Sequence, residues 1–240
     1  GSDEGDWSSM EKLAYLLLKE PSERGAAYTE GLLEKAAPAL LAQKDVRGLT
    51  IELPDLADDP RVTPAHLTGR GSEIGGAVFV WVDSLDRRFV IEEILGEIGS
   101  GLAGYLVTES VVQPYARRDW SDGSRSPGVT QFVCFAQPDD LSDADFFARW
   151  HDRISPLSFE LHPTRTRYVR NVVARTLTPD APPWRGIVVE RWGSLEEWLD
   201  PKQLYSSQAL FDEMQAVGFA APDSVSLTLS SEWILKSWDR

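Results

Sequence analysis

VFVWVDSLDR (residues 78–87) and VVERWGSLEE (residues 188–197) are two versions of one pattern, and their relation decides the fold. In each, a β-branched and aromatic run ends in Ser-Leu followed by a carboxylate. Such a run reads as a strand, and the serine with an acidic residue reads as the start of a helix. Ser194 and Glu197 have capping-box spacing; at Ser84 only Asp86 is there to suit the positive helix start.

Working outward, the flanking segments match in order. The apolar runs KLAYLLLK (12–19) and VTQFVCFAQ (129–137) have strand length and composition. Each is followed by a helical stretch opening with serine and an acidic residue, and each stretch carries a proline late on, Pro38 and Pro156. Proline lacks the N–H that a helix interior needs, so a kink or an end is expected there. In the second stretch Phe147, Trp150, Ile154, Leu157 and Leu161 share one helical face, which marks that face as buried. VRGLTIEL (46–53) and TRYVRNVVART (166–176) are extended, and each leads into a loop rich in proline and aspartate. After the quoted strands come a helix and a last strand, YLVTESVVQ (105–113) or LTLSSEWILK (227–236), with Glu109 and Glu232 corresponding.

The order strand-helix-strand-strand-helix-strand therefore occurs twice. It implies an internal duplication, with units at residues 10–115 and 129–240, a polar linker at 116–128 and an acidic leader or tag at 1–9. A β-α-β-β-α-β unit is ferredoxin-like, an α+β sheet with helices on one face. The strands are apolar on nearly every residue, so both sheet faces must be covered. The expectation is two ferredoxin-like units packed sheet to sheet, with helices outside and room for a cavity between.

Composition narrows the function. Hydrophobic residues at 42% and aromatics at 10% are globular values. A net charge of −14 argues against nucleic acid, which needs a cationic surface. No run of apolar residues has transmembrane length, and the single cysteine, Cys134, excludes an internal disulfide. A cytoplasmic protein is the default expectation. No G-x-S-x-G, Walker or dinucleotide motif is present, and His66, His151 and His162 lack metal-ligand spacing. Neither a metal nor another cofactor is expected. GSEIGG (71–76) precedes a strand and reads as a loop.

Two ionisable residues stand out. His151 lies one helical turn before Ile154 at the edge of the apolar face, where an imidazole can exchange a proton near neutral pH. Glu190 interrupts an apolar strand on the face shared with Val188 and Trp192, opposite Arg191, and suits an orienting role. Trp81, Trp150 and Trp192 offer indole surfaces for a flat ligand, with Arg191 beside them. The second half carries more of the charged strand residues, which points the chemistry there.

The strand-then-Ser-Leu-acid element, the Pro-Leu of ISPL (154–157) and the following RTRYVRN (165–171) resemble the EthD-like family of the dimeric α/β-barrel superfamily. The resemblance implies a barrel that takes a hydrophobic or aromatic small molecule in a catabolic or polyketide-type pathway. It implies cofactor-independent decarboxylase-, cyclase- or oxygenase-like activity, a lyase or an oxidoreductase. The alternative is a non-catalytic binding or accessory protein of an oxidoreductase system, and a homodimer is compatible with either. Many members of the family carry His-x-Pro-Leu at the end of the first helix; here that histidine position holds Ile154 and Ala36.

Overall fold

The computed structural model describes residues 10–238 apart from 21 and 24, so the leader expected at 1–9 lies outside the described residues. Eight strands form the framework: β1 (Glu11–Leu18), β2 (Val46–Leu53), β3 (Ile74–Val82), β4 (Gly101–Gln113), β5 (Val129–Phe135), β6 (Arg165–Thr176), β7 (Gly186–Trp192) and β8 (Ser226–Lys236). They close into a barrel in the order β1-β3-β2-β8-β5-β7-β6-β4, every neighbouring pair antiparallel. Each half contributes one four-strand run, β4-β1-β3-β2 and β8-β5-β7-β6.

The halves do not stack as two separate layers. Their edge strands hydrogen-bond, β2 to β8 and β4 to β6, so one sheet curls round on itself. An open unit would leave rows of unpaired N–H and C=O groups on β2 and β4, and mutual pairing removes those edges.

Alternation along the strands sorts side chains into two environments. Outward residues such as Leu13, Leu49, Ile51, Val78 and Val80 meet the first-half helices. Val188, Tyr168 and Phe135 meet Phe146, Trp150 and Ile154 of the second-half helix. Trp192 and Val129 meet Leu195 and Trp198. Inward residues include Leu16, Phe79, Tyr105, Phe132, Cys134 and Ile187, all buried. An eight-stranded barrel is only wide enough for its own side chains and at most one small ligand. Buried aromatics each remove roughly 150–250 Å² from water, about 4–6 kcal/mol apiece before entropy.

The long helices share a departure from regularity. One runs α-helically over Gly25–Glu30, as a π-helix over Gly31–Ala36, then α-helically over Ala37–Leu41. The other does the same over Asp143–Phe147, Ala148–Ile154 and Ser155–Leu161. Pro38 and Pro156 sit at the restart of the final segment. The proline N–H is missing where the ladder needs it, and a wider turn just upstream lets the helix continue instead of ending. The serine caps form as the sequence implies. Ser142 accepts from Asp145 N at 3.1 Å and Ser194 from Glu197 N at 3.1 Å, while Ser84 accepts from Asp86 N at 3.2 Å.

Two connecting segments are docked. Gly71 of GSEIGG lies in a 3₁₀ turn against β8, where a Cβ would fall 1.9 Å from the Leu227 carbonyl oxygen, so only glycine fits. The segment expected as a linker follows the end of β8: Gly123 N donates to Ile234 O at 2.8 Å and Ser126 N to Glu232 O at 2.8 Å.

Candidate functional site

One end of the barrel interior is apolar and the other is ionic. At the ionic end Lys12 of β1 forms a salt bridge with Glu109 of β4 and lies 4.5 Å from the Phe79 ring centre and 4.6 Å from that of Trp81. Arg191 of β7 is fully buried; it donates to the Thr130 hydroxyl and, at 2.6 Å, to Pro127 O, with Glu232 of β8 at 3.7 Å. Glu232 accepts from Tyr115 at 2.8 Å and from Ser126 at 2.7 Å, and Trp120 donates to Ser126 at 2.9 Å. Glu52 of β2 stands opposite Glu232 in the ladder and accepts from Ser230 at 2.8 Å.

Burial and neighbouring charge set these groups apart. Burial pushes the Glu52 carboxyl up to about 7, with the Glu232 charge adding to the rise. Burial also opposes ionisation of Glu232, but the Arg191 and Arg167 guanidiniums with Ser126 and Tyr115 outweigh it and hold that carboxyl low. Lys12 is lowered to about 8 by burial against the pull of Glu109. One neutral-leaning and one ionised carboxyl side by side is the arrangement by which environment separates acid from base. Buried ion pairs rarely maximise stability, because desolvation offsets their attraction. A cluster of this kind in a barrel is therefore a functional-site candidate.

Above the cluster the barrel mouth holds a cavity of about 260 Å³. Trp81, Thr50, Val111 and Ile234 line it from the strands, Glu109 and Arg167 add charge, and Tyr115, Arg118, Lys236 and Trp238 complete the wall. Trp81 and Trp238 stack at 6.1 Å with 29° between their planes. Glu109 gives one oxygen to Lys12. Arg167 lies over the Tyr115 ring at 4.7 Å, and its buried Nε has no hydrogen-bond partner among the described residues.

The six residues singled out from sequence divide between the two faces of the barrel wall. Trp81 and Arg191 point inward, Trp81 into the cavity and Arg191 into the cluster beneath. The other four lie on the outer face or under the helices. Trp150 packs on Phe135, ring centres 4.9 Å apart, in the helix layer. Trp192 meets His162 edge-on at 5.4 Å. Glu190 is buried in an ion pair with Arg165 of the neighbouring strand β6 and accepts from Gln131 at 3.0 Å. His151 is half-buried on the π-helical turn beside Trp150 (4.8 Å) and Phe147 (5.2 Å). Its Nε2 is buried without a hydrogen-bond partner among the described residues, and burial with the Arg170 charge lowers its pKa. Neither His151 nor Glu190 lines the barrel-mouth cavity.

Sequence reading passed over Lys12, Glu52, Tyr115 and Arg167. The recurrence of Glu109 and Glu232 was the available signal: both are inward carboxylates on the last strand of their half. The lining also draws on both halves, with Thr50, Trp81 and Glu109 from the first and Arg167 and Ile234 from the second. Among the described residues no helix is long and apolar enough to cross a membrane.

Solved structures resemble this chain to different degrees. An anthrone oxidase-like protein superposes with a TM-score of 0.59 at 12% identity, over 97% of this chain and 96% of its own. A candidate monooxygenase from Lactobacillus acidophilus NCFM aligns with a TM-score of 0.49 at 10% identity, over 95% and 97%. A chlorite dismutase from Candidatus Nitrospira defluvii aligns with a TM-score of 0.49 at 11% identity, over 94% and 91%. No protein-family profile matches the chain, and no curated protein does. The likeness to the anthrone oxidase-like protein is one of fold.

Proposed function

We propose that the chain is an oxygenase-like barrel protein that takes a flat aromatic small molecule at the barrel mouth and transforms it without a bound cofactor. The observation carrying this reading is the cavity itself: an indole wall formed by Trp81 beside the Glu109 carboxylate, which is held from behind the lining by the buried Lys12. An aromatic ring fits the apolar wall, and the few convergent polar groups fix its orientation. The likeness to an anthrone oxidase-like protein supports oxidative chemistry, and the EthD-like resemblance of RTRYVRN agrees with an aromatic ligand.

The chemistry follows from the groups present. Glu109 accepts a proton from an activated C–H of the bound ring system, and Lys12 beside it stabilises the oxyanion of the resulting enolate. That carbanion reduces O₂, forming a C–O bond; for an anthrone-type substrate the hydroperoxide then loses water to leave the quinone. One O₂ is consumed and one water released, and the electrons come from the substrate. Glu109 takes the proton-accepting part first sought in His151, because it stands at the cavity wall and His151 stands in the helix layer.

Tandem duplication is part of the same reading. The two halves share their strand run, their π-helical turn before proline and their inward glutamates, which supports units at 10–115 and 129–240 acting as an intrachain pseudo-dimer. The non-catalytic alternative draws on Ile154, a buried apolar side chain where EthD-like proteins have a histidine. The deciding experiment is oxygen uptake with anthrone at pH 7, with quinone followed by absorbance. Turnover that falls by about 10²–10⁴ in Glu109→Gln supports the proposal. Anthrone binding without uptake moves the protein to the binding role.

A further inference from the structure

The chain as a whole is strongly acidic, with 38 Asp and Glu against 24 Lys and Arg. The barrel mouth reverses that balance: its lining includes one carboxylate, Glu109, and three cations, Arg118, Arg167 and Lys236. Most of the charges have partners. Lys12 holds Glu109, Arg118 holds Asp122 at 2.6 Å, and Lys236 donates to Val46 O at 2.7 Å. Arg167 has no hydrogen bond or ion pair among the described residues, and its Nε is buried. Its guanidinium rests on Tyr115, which orients it without neutralising it.

Glu232 beneath feels the Arg167 charge, but that carboxylate is already held by Arg191, Tyr115 and Ser126, so a guanidinium partly withdrawn from water and with no direct ion pair of its own is only partly compensated for its desolvation. We infer that Arg167 is the anion-holding residue of the barrel mouth, and that the ligand is an aromatic acid whose planar oxyanion, a carboxylate or its equivalent, meets this guanidinium while its ring lies along Trp81. The inference rests on the aromatic-ligand reading and adds the charge of the substrate. The planar fork of arginine matches a carboxylate by two parallel hydrogen bonds, which a lysine at the same point cannot do. Net positive lining in a chain of charge −14 also favours the approach of an anionic ligand to this mouth.

The test compares 2-naphthoate with 2-naphthamide, a charged and a neutral ligand of nearly one shape, by calorimetry on the full chain. Wild type is expected to prefer the carboxylate by about 10- to 100-fold, the usual range for a hydrogen bond to a charged group. Arg167→Met is expected to abolish that preference while naphthamide binding persists, and Arg167→Lys to retain part of it. Circular dichroism checks each fold; should the methionine variant unfold, the lysine variant decides, with at least a several-fold loss for naphthoate alone expected. Equal affinity of wild type for the two ligands overturns the inference and leaves the aromatic pocket standing. A preference unchanged in folded Arg167 variants overturns it too, and binding of neither ligand removes both readings.

Discussion

At matching places in the two halves the barrel carries different chemistry. Trp81 faces Lys12 across β3 and β1; Arg191 faces Thr130 across β7 and β5. Trp81 and Arg191 thus hold the same station, one an indole facing a lysine, the other a guanidinium facing a hydroxyl. The last strands match as well: Glu109 faces Asn171 on β6, and Glu232 faces Glu52 on β2. On the first-half side the glutamate and the indole border open space. On the second-half side Tyr115, Ser126 and Arg191 enclose the glutamate completely. The same strand run thus carries a station that borders the cavity in one half and a closed, buried one in the other.

The largest effect should come from breaking the closed station. Arg191→Ala strips buried Glu232 of its ion-pair partner, and such losses cost about 3–5 kcal/mol. Trp81→Ala at the matching station opens a cavity that already exists, so roughly 2–3 kcal/mol is expected, at or below the lower end of the usual range for tryptophan. Urea unfolding of both variants measures the difference. A Trp81 variant less stable than the Arg191 variant would break the comparison.

Next in size is a pair of opposite pH slopes. The unfolded chain releases the Glu52 proton near 4.5 and the folded chain near 7, so the folded state binds more protons in between and stability falls as pH rises through that window. Glu52→Gln should flatten this fall. Lys12 behaves inversely: the folded chain loses its proton near 8 and the unfolded chain near 10.5, so stability rises with pH between them. Lys12→Met should remove that rise. Denaturant midpoints at pH 4.5, 7, 8 and 10 read both, and slopes left unchanged from wild type in Glu52→Gln and Lys12→Met would refute the assignment.

The smallest effect is expected at His151. It touches Trp150 and Phe147 outside the barrel wall, so His151→Ala should change stability by only about 1 kcal/mol and leave naphthoate affinity within about twofold. A tenfold loss of affinity would move the site from the barrel mouth to the helix layer.

The sequence exposed the strand order and the helix starts because those rest on local signals: Ser84, Ser142 and Ser194 cap as their spacing implies. It also sorted β7 correctly into Val188, Glu190 and Trp192 on one face and Arg191 on the other. Periodicity does not say which face becomes the barrel interior when both are covered, and that left Glu190 and Trp192 as attractive as Arg191. Edge pairing between halves was equally hidden, since closure depends on contacts such as Thr108 with Val172 that no local pattern announces. The ionic cluster joins residues from β1, β2, β4, β6, β7 and β8 with Tyr115 and Ser126 of the docked connection. Only the closed barrel brings them together.

The most direct test of the account is a crystal structure of the chain soaked with 2-naphthoate. The account predicts the ring against Trp81, with the carboxylate on Arg167 and within reach of the Glu109–Lys12 pair. Ligand seated instead in the helix layer beside His151 and Trp150, with the barrel mouth empty, would contradict it.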